Sequence, residues 1–160
     1  MIELTVTIPD HHPALTAWTL PPEQLEFTSL PSQLLPKLAR QTERFPVTVL
    51  DEGRPIGFFL LAAGEHRDKY LPEPDPAALA LTSLSIDPAC QGRGIGLAAM
   101  QGVPGFVQRH FPDTRRIVLA VNQRNHTALR LYARAGFVIS HTREGPVGPQ
   151  WVMELPLTPA

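Results

Sequence analysis

The chain has one cysteine in 160 residues, Cys90, so it closes no disulfide within itself and cannot build a cysteine zinc cluster. An excess of charge of one sign is missing too: 14 Lys and Arg against 15 Asp and Glu leave a formal net charge of -1. That balance lacks the electrostatic footprint of a dedicated nucleic-acid binder. No apolar run is long enough to cross a bilayer. The opening MIELTVTIPD carries acids where a secretory leader carries bases and a continuous apolar stretch. Internal repeats and low-complexity tracts are absent. The expectation is a cytoplasmic protein with no membrane and no nucleic-acid partner.

What is present is enough apolar sequence, 43% of the residues, for one sizeable core and one domain spanning 1–160. Proline is abundant, 18 residues, but dispersed, and reads as stiff loops and element ends. IELTVTI (Ile2–Ile8) alternates like an opening strand. A short helix is expected around Pro22–Phe27, and a second within Ser29–Gln41, where Leu34, Leu35 and Leu38 fall at helical spacing. Ser32 is its candidate cap, with Pro36 limiting where it can start. FPVTVL and PIGFFLLAA flank DEGR as a hairpin. Gly64–Ala78 reads as a polar, proline-rich surface loop.

LALTSLSI (Leu79–Ile86) suits a central strand covered on both faces. A helix is expected over Ile95–His110, with Pro104 bending it or shifting its boundary. RIVLAV (Arg116–Val121) is a buried strand. NHTALRLYARAG (Asn125–Gly136) is a helix ended by Gly136. FVISHT and WVMELPL then supply two antiparallel strands around the loop REGPVGPQ. Strand-helix-strand order requires a parallel or mixed sheet with helices on its faces, so the fold class is α/β.

QGRGIG (Gln91–Gly96) stands between a strand and a helix. A P-loop needs Lys and Ser or Thr after its glycines, but Leu97 and Ala98 follow here. A dinucleotide fingerprint needs GxGxxG, whereas Gly92, Gly94 and Gly96 are spaced GxGxG. A tight turn alone would explain the glycines. Equally, they let backbone N–H groups converge on an anion at a helix start, with Arg93 either adding a charged contact or lying solvated.

LTSLSIDPACQGRGIG resembles the strand, loop and pyrophosphate turn of the GCN5-related N-acetyltransferase (GNAT) superfamily: Gln91, Gly94 and Gly96 fill its Q/R-x-x-G-x-G/A signature. NHTALRLYARAGF is similar to its N-x-x-A-x-x-x-Y-x-x-x-G-F element at Asn125, Ala128, Tyr132, Gly136 and Phe137. The likeness is clearest over 45–157. It implies a single-domain GNAT-like fold, with a mixed central sheet flanked by helices, and acetyl-CoA or another short acyl-CoA as donor. By the same resemblance the pyrophosphate would lie on the backbone of Gln91, Gly92, Arg93, Gly94, Ile95 and Gly96. The pantetheine arm would run beside Leu84, Ser85 and Ile86 and touch Asn125, and a backbone N–H near Ile86 would serve the oxyanion.

Tyr132 read by spacing alone is a core residue on the packed helix face. The resemblance makes it the general acid for the departing thiolate. The acceptor would be a small-molecule or protein primary amine, attacking the thioester directly. The strand glutamate that many members use as base is missing, since Thr82, Ser83 and Ser85 are the polar side chains of LALTSLSI. Glu65, Asp68, Glu73, Asp75 or His66 in the preceding loop could relay a proton, or the substrate could need no base. A catalytically weak CoA-binding regulatory domain of the same fold is the alternative.

Cys90 lacks a partner to activate it as a nucleophile, and His11 and His12 lack further metal ligands, so no metal is expected. His126 and His141 read as structural or exposed, Trp151 as sheet packing, and Glu144–Gln150 as a border of the acceptor pocket. A homodimer through the terminal strands is an expectation.

Overall fold

The β2–β3 hairpin shows how local sequence sets this architecture. Strands β2 (Arg44–Asp51) and β3 (Arg54–Ala62) pair antiparallel, with Asp51 opposite Arg54. Glu52 and Gly53 both take positive φ, 49° and 80°, the two-residue turn whose twist matches paired strands. From Phe58 onward the side chains of β3 alternate between two layers. Phe59 and Leu61 enter the main core, as does Ile56 at a register shift in the β2–β3 pairing. Phe58 and Leu60 enter a second core with Leu15, Trp18, Leu34 and Leu38. The strand is therefore buried on both faces, as its unbroken apolar run requires.

The structure is a computed structural model and describes residues 1–158. Strand β1 (Ile2–Val6) is followed by three short helices, α1 (His12–Leu15), α2 (Pro22–Leu25) and α3 (Pro31–Leu38). After the hairpin come α4 (Glu65–Asp68), β4 (Ala78–Ile86), α5 (Ile95–His110), β5 (Arg116–Asn122), α6 (His126–Arg134), β6 (Val138–Gly145) and β7 (Gly148–Pro156). One seven-stranded sheet results, in the order β1-β2-β3-β4-β5-β7-β6. Among the described residues only the β4–β5 pair is parallel. Helix α5 packs Ala99, Met100, Val103, Phe106 and Val107 against Leu79, Leu81, Ile117 and Leu119 on one face. The expected mixed α/β domain is present. No helix among the described residues is long and apolar enough to cross a membrane.

Several local expectations change. Ser32 does not cap α3: Leu30 holds that position, and the Gln33 side chain accepts from the Leu30 N–H at 2.9 Å. Pro36 lies inside α3 rather than before it. Pro104 does not shift the boundary of α5, which runs through it as one element from Ile95 to His110. The carbonyl one turn earlier loses its donor, but burial of Met100, Val103, Phe106 and Val107 around it holds the helix to the sheet. The loop over 64–78 contains α4, started by Gly64 at φ 59°. The segment read as the loop REGPVGPQ is mostly strand. Gly145 pairs with Gly148, leaving only Pro146 and Val147 at the turn.

Candidate active site

Strands β4 and β5 pair from Ala78 opposite Arg116 to Ala80 opposite Val118, and no further. Each then turns to a different neighbour: β4 stays with β3 to Ile86, and β5 stays with β7 to Asn122. The two central strands therefore separate. The gap opens into a cavity of about 920 Å³ whose walls include Thr82–Ile86 and Ala120–Asn122. Backbone groups of β4 facing this gap have no strand partner there, which leaves an edge that an extended ligand can extend as an added strand.

A bulge shapes that edge. Pairing jumps from Leu60–Thr82 to Phe58–Ser85, so β4 carries one extra residue, and Ser83 sits at φ 60°. The extra residue re-phases the strand. Leu79 and Leu81 enter the main core before it, and Leu84 and Ile86 pack on that core after it. Ser85 is 4% exposed, and its Oγ has no hydrogen-bond partner among the described residues. A buried hydroxyl left unpaired costs stability unless a ligand or water meets it.

The glycine stretch borders the same cavity. Gly92 and Gly94 take φ 81° and 74°, with open space where a Cβ would sit. From Gly92 through Leu97 no backbone N–H finds an acceptor among the described residues, because these donors form the turn and the first positions of α5. An anion fits such a run of unpaired donors at a helix start. The N–H of Gln91 is not part of it, since it donates to the Pro88 carbonyl at 3.3 Å. The Gln91 side chain braces the turn instead. Its Nε2 donates to the Ile86 carbonyl at 2.9 Å, and its amide exchanges two hydrogen bonds with Gln24. Gln91, Gly92, Gly94, Ile95 and Gly96 line the cavity, whereas Arg93 is exposed and does not.

Helix α6 supplies the facing wall. Asn125 caps it, with Oδ1 accepting from the Ala128 N–H at 3.2 Å, and lines the cavity. Tyr132 is 8% exposed, and its hydroxyl has no hydrogen-bond partner among the described residues. Burial alone pushes this phenol well above its ordinary 10.0, which favours its neutral, proton-bearing form.

None of Glu65, His66, Asp68, Glu73 or Asp75 lines the cavity. Asp75 is held by the Ala77 N–H and by Arg116, and Asp68 by Arg67. The carboxylates that do line it are Glu23 and Glu26, and Glu26 pairs with Arg124 at 2.8 Å. Arg124 also donates to the Val147 carbonyl at 2.9 Å and lies 5.4 Å from the centroid of the Phe27 ring. It thus ties the segment after α2 to the β6–β7 turn. Lys69, Tyr70 and Arg143 complete that side. No local pattern marked these residues, because strand pairing and long-range packing alone bring them together.

The remaining candidates fall elsewhere. Cys90 is buried. His11 Nδ1 meets Thr48 Oγ1 at 3.0 Å, and no cluster of metal-binding side chains occurs among the described residues. Pro146, Val147 and Gln150 border the cavity, and Trp151 packs on the core.

A family model described as "Acetyltransferase (GNAT) family" matches residues 12–137. The uncharacterized N-acetyltransferase YbbJ of Bacillus subtilis is 38% identical over 154 residues, covering 95% of each chain. The uncharacterized N-acetyltransferase Rv2669 of Mycobacterium tuberculosis is 31% identical over 102 residues, 64% of this chain and 58% of that one. Among solved structures, the aminoglycoside acetyltransferase AAC(6')-Ib with coenzyme A and kanamycin superposes with a TM-score of 0.78 at 21% identity. That match covers 98% of this chain and 95% of the other. An acetyltransferase of Streptococcus pneumoniae superposes with a TM-score of 0.69 at 19% identity, over 99% and 100% of the two chains.

Proposed function

The chain belongs to the GNAT acetyltransferase family, and from that premise we propose that it moves an acetyl group from acetyl-CoA directly to a small primary amine, with Tyr132 as general acid. The observation that carries this reading is a single cavity joining a free backbone anion cradle, a β4 edge without a strand partner and Tyr132. Structures of AAC(6')-Ib hold acetyl-CoA or coenzyme A, and the cradle in this chain has the chemistry to take the same donor.

Bound acetyl-CoA supplies a thioester whose carbonyl carbon accepts the amine and whose sulfur departs. The N–H groups of Gly92–Leu97 would hold its pyrophosphate, and the β4 edge from Leu84 to Ile86 would align its amide-bearing arm. The Tyr132 hydroxyl would deliver its proton to the departing sulfur, the role of a phenol whose neutral form burial of the side chain favours. Asn125 would touch the arm while capping α6. The loop carboxylates lie outside the cavity, so the neutral fraction of the amine would attack without a proton acceptor from that loop.

Thiol release on mixing the protein with acetyl-CoA and a panel of amines tests the reading, with calorimetry on acetyl-CoA alone as its control. Binding with turnover on at least one amine is the expected result. Binding with no turnover would favour the CoA-binding regulatory alternative, and failure to bind acetyl-CoA would end both.

A further inference from the structure

We propose that the acceptor is a small amine that also carries an anionic oxyacid group, a carboxylate above all, and that Lys69 and Arg143 receive that group. The inference rests on the acetyl-transfer reading and narrows its substrate class.

Tyr70 locates the argument. It packs on Ala62, Ala80 and Val118, and Ala80–Val118 is the last paired rung before β4 and β5 separate. These side chains alternate with Leu79, Leu81, Ile117 and Leu119, so Tyr70 lies on the sheet face opposite α5. A hydrogen bond of 3.0 Å from His141 Nε2 to its carbonyl fixes the backbone of Tyr70 to β6. Onto this one ring converge two cations: the Arg143 guanidinium at 5.0 Å from the centroid and the Lys69 ammonium at 5.1 Å. All three residues line the cavity.

Neither cation is neutralised. No carboxylate among the described residues forms an ion pair with Lys69 or Arg143. The other charges of the wall are accounted for differently. Arg124 and Glu26 pair with each other. Glu23 belongs to α2, whose Gln24 is bonded to Gln91 at the glycine turn. The Tyr70 end therefore carries unbalanced positive charge, and a polycationic acceptor would meet repulsion there.

An oxyacid answers that charge. Arg143 donates one Nη1 bond to Gln150 Oε1, which orients the guanidinium and leaves other N–H groups for a forked contact. Lys69 adds a second charged donor. The same cations disfavour the ammonium form of an amine held near them, which helps the neutral, reactive form at a site with no carboxylate on β4.

The test compares matched acceptors by thiol release: ω-amino acids of graded length, their carboxamides, the corresponding aminoalkylphosphonates, and the polycations spermidine and kanamycin. Wild type is set beside Lys69→Gln, Arg143→Gln and the double variant, with acetyl-CoA affinity and Tm reporting whether each variant folds. The expected result is a kcat/KM for the best acid about tenfold or more above its carboxamide, as loss of a charged hydrogen bond implies. That ratio should fall toward one in the double variant, mostly through KM. Preference between carboxylate and phosphonate identifies the oxyacid. Equal rates on acids and carboxamides, or faster turnover of the polycations, would overturn the proposal while leaving acetyl transfer intact. Acetyl-CoA binding without thiol release from any amine would bring down the transfer reading, and this one with it.

Discussion

Tyr132 and Phe137 are joined twice. The Phe137 N–H donates to the Tyr132 carbonyl at 3.0 Å across the end of α6, and their rings meet edge to face with centroids 5.8 Å apart. Gly136 makes the arrangement possible at φ 101°, and its own N–H donates to Ala133. This is a helix end closed by a left-handed glycine and sealed by an apolar contact across it. The general-acid candidate is therefore held by the termination of its own helix. Tyr132→Phe keeps the ring contact and removes a hydroxyl that has no protein partner. Thermal unfolding should change little, while kcat should fall by about 10²-fold, the lower range for loss of a proton donor. Unchanged kcat would return Tyr132 to a packing role.

A second expectation concerns Gly94. A Cβ there meets no atom within 4 Å, so space does not forbid a side chain, but φ is 74°. Gly94→Val should cost about 1–2 kcal/mol of stability through the left-handed backbone. Its branched side chain would also crowd the donors of the cradle, so acetyl-CoA affinity should fall by more than that stability loss accounts for. Calorimetry and thermal melts on the same preparation separate the two effects. Loss of stability without loss of affinity would make the turn purely structural.

Both of these positions were legible from sequence for the same physical reason. A left-handed turn and a closed helix end each demand particular residue types within a few positions, so the local string carries them. Lys69, Tyr70, Arg124 and Arg143 had no such signature. Arg143 reaches Tyr70 only because β7 inserts between β5 and β6 and brings the terminal hairpin beside the start of the cleft. In the hairpin, the Gly and Pro of Arg143–Gln150 suggest a loop, but pairing continues to Gly145 and Gly148. Glycine and proline weaken a strand but do not exclude it near an end or an edge. The base candidates of the 64–78 segment lie outside the cavity. Asp75 has a structural partner that lies far along the chain.

That partner makes a third prediction. Arg116 bridges Asp75 and Glu154, at 3.0 Å and 2.8 Å, joining the segment before β4 to β5 and β7. The Ala77 N–H first, and the Arg116 guanidinium next, hold the Asp75 carboxyl below its ordinary 3.8. A carboxylate depressed in the folded state adds stability above its unfolded value and loses it as pH falls through the folded one. Asp75→Asn should therefore lower stability near neutral pH by about 1 kcal/mol, and the difference from wild type should vanish in strong acid. Melts across that range check it. A difference that persists in acid would mean packing, not charge, holds the segment.

Asn125 has two duties that one pair of variants can separate. As the cap of α6 its oxygen accepts from Ala128, so Asn125→Ala should cost about 1 kcal/mol, and Asn125→Ser should recover most of that. If the amide also meets the pantetheine arm, acetyl-CoA affinity should drop in both variants. Affinity that recovers with stability in Asn125→Ser would confine the residue to capping.

The pH dependence of turnover decides whether any protein base is needed. Strand β4 has no carboxylate, and of the two carboxylates that line the cavity Glu26 is committed to Arg124. With no base, kcat/KM should rise with pH as the amine loses its proton and level off at the pKa of that amine. Because burial raises the Tyr132 phenol above 10.0, its ionisation should impose no falling limb below that pH. Two acceptors whose pKa values differ by about one unit, followed from about pH 6 to 10, make the test. An inflection that moves with the amine supports attack by the neutral fraction. One that stays fixed would assign a base to the enzyme, with Glu23 and His126, two lining residues that can accept a proton and form no ion pair among the described residues, the first to replace.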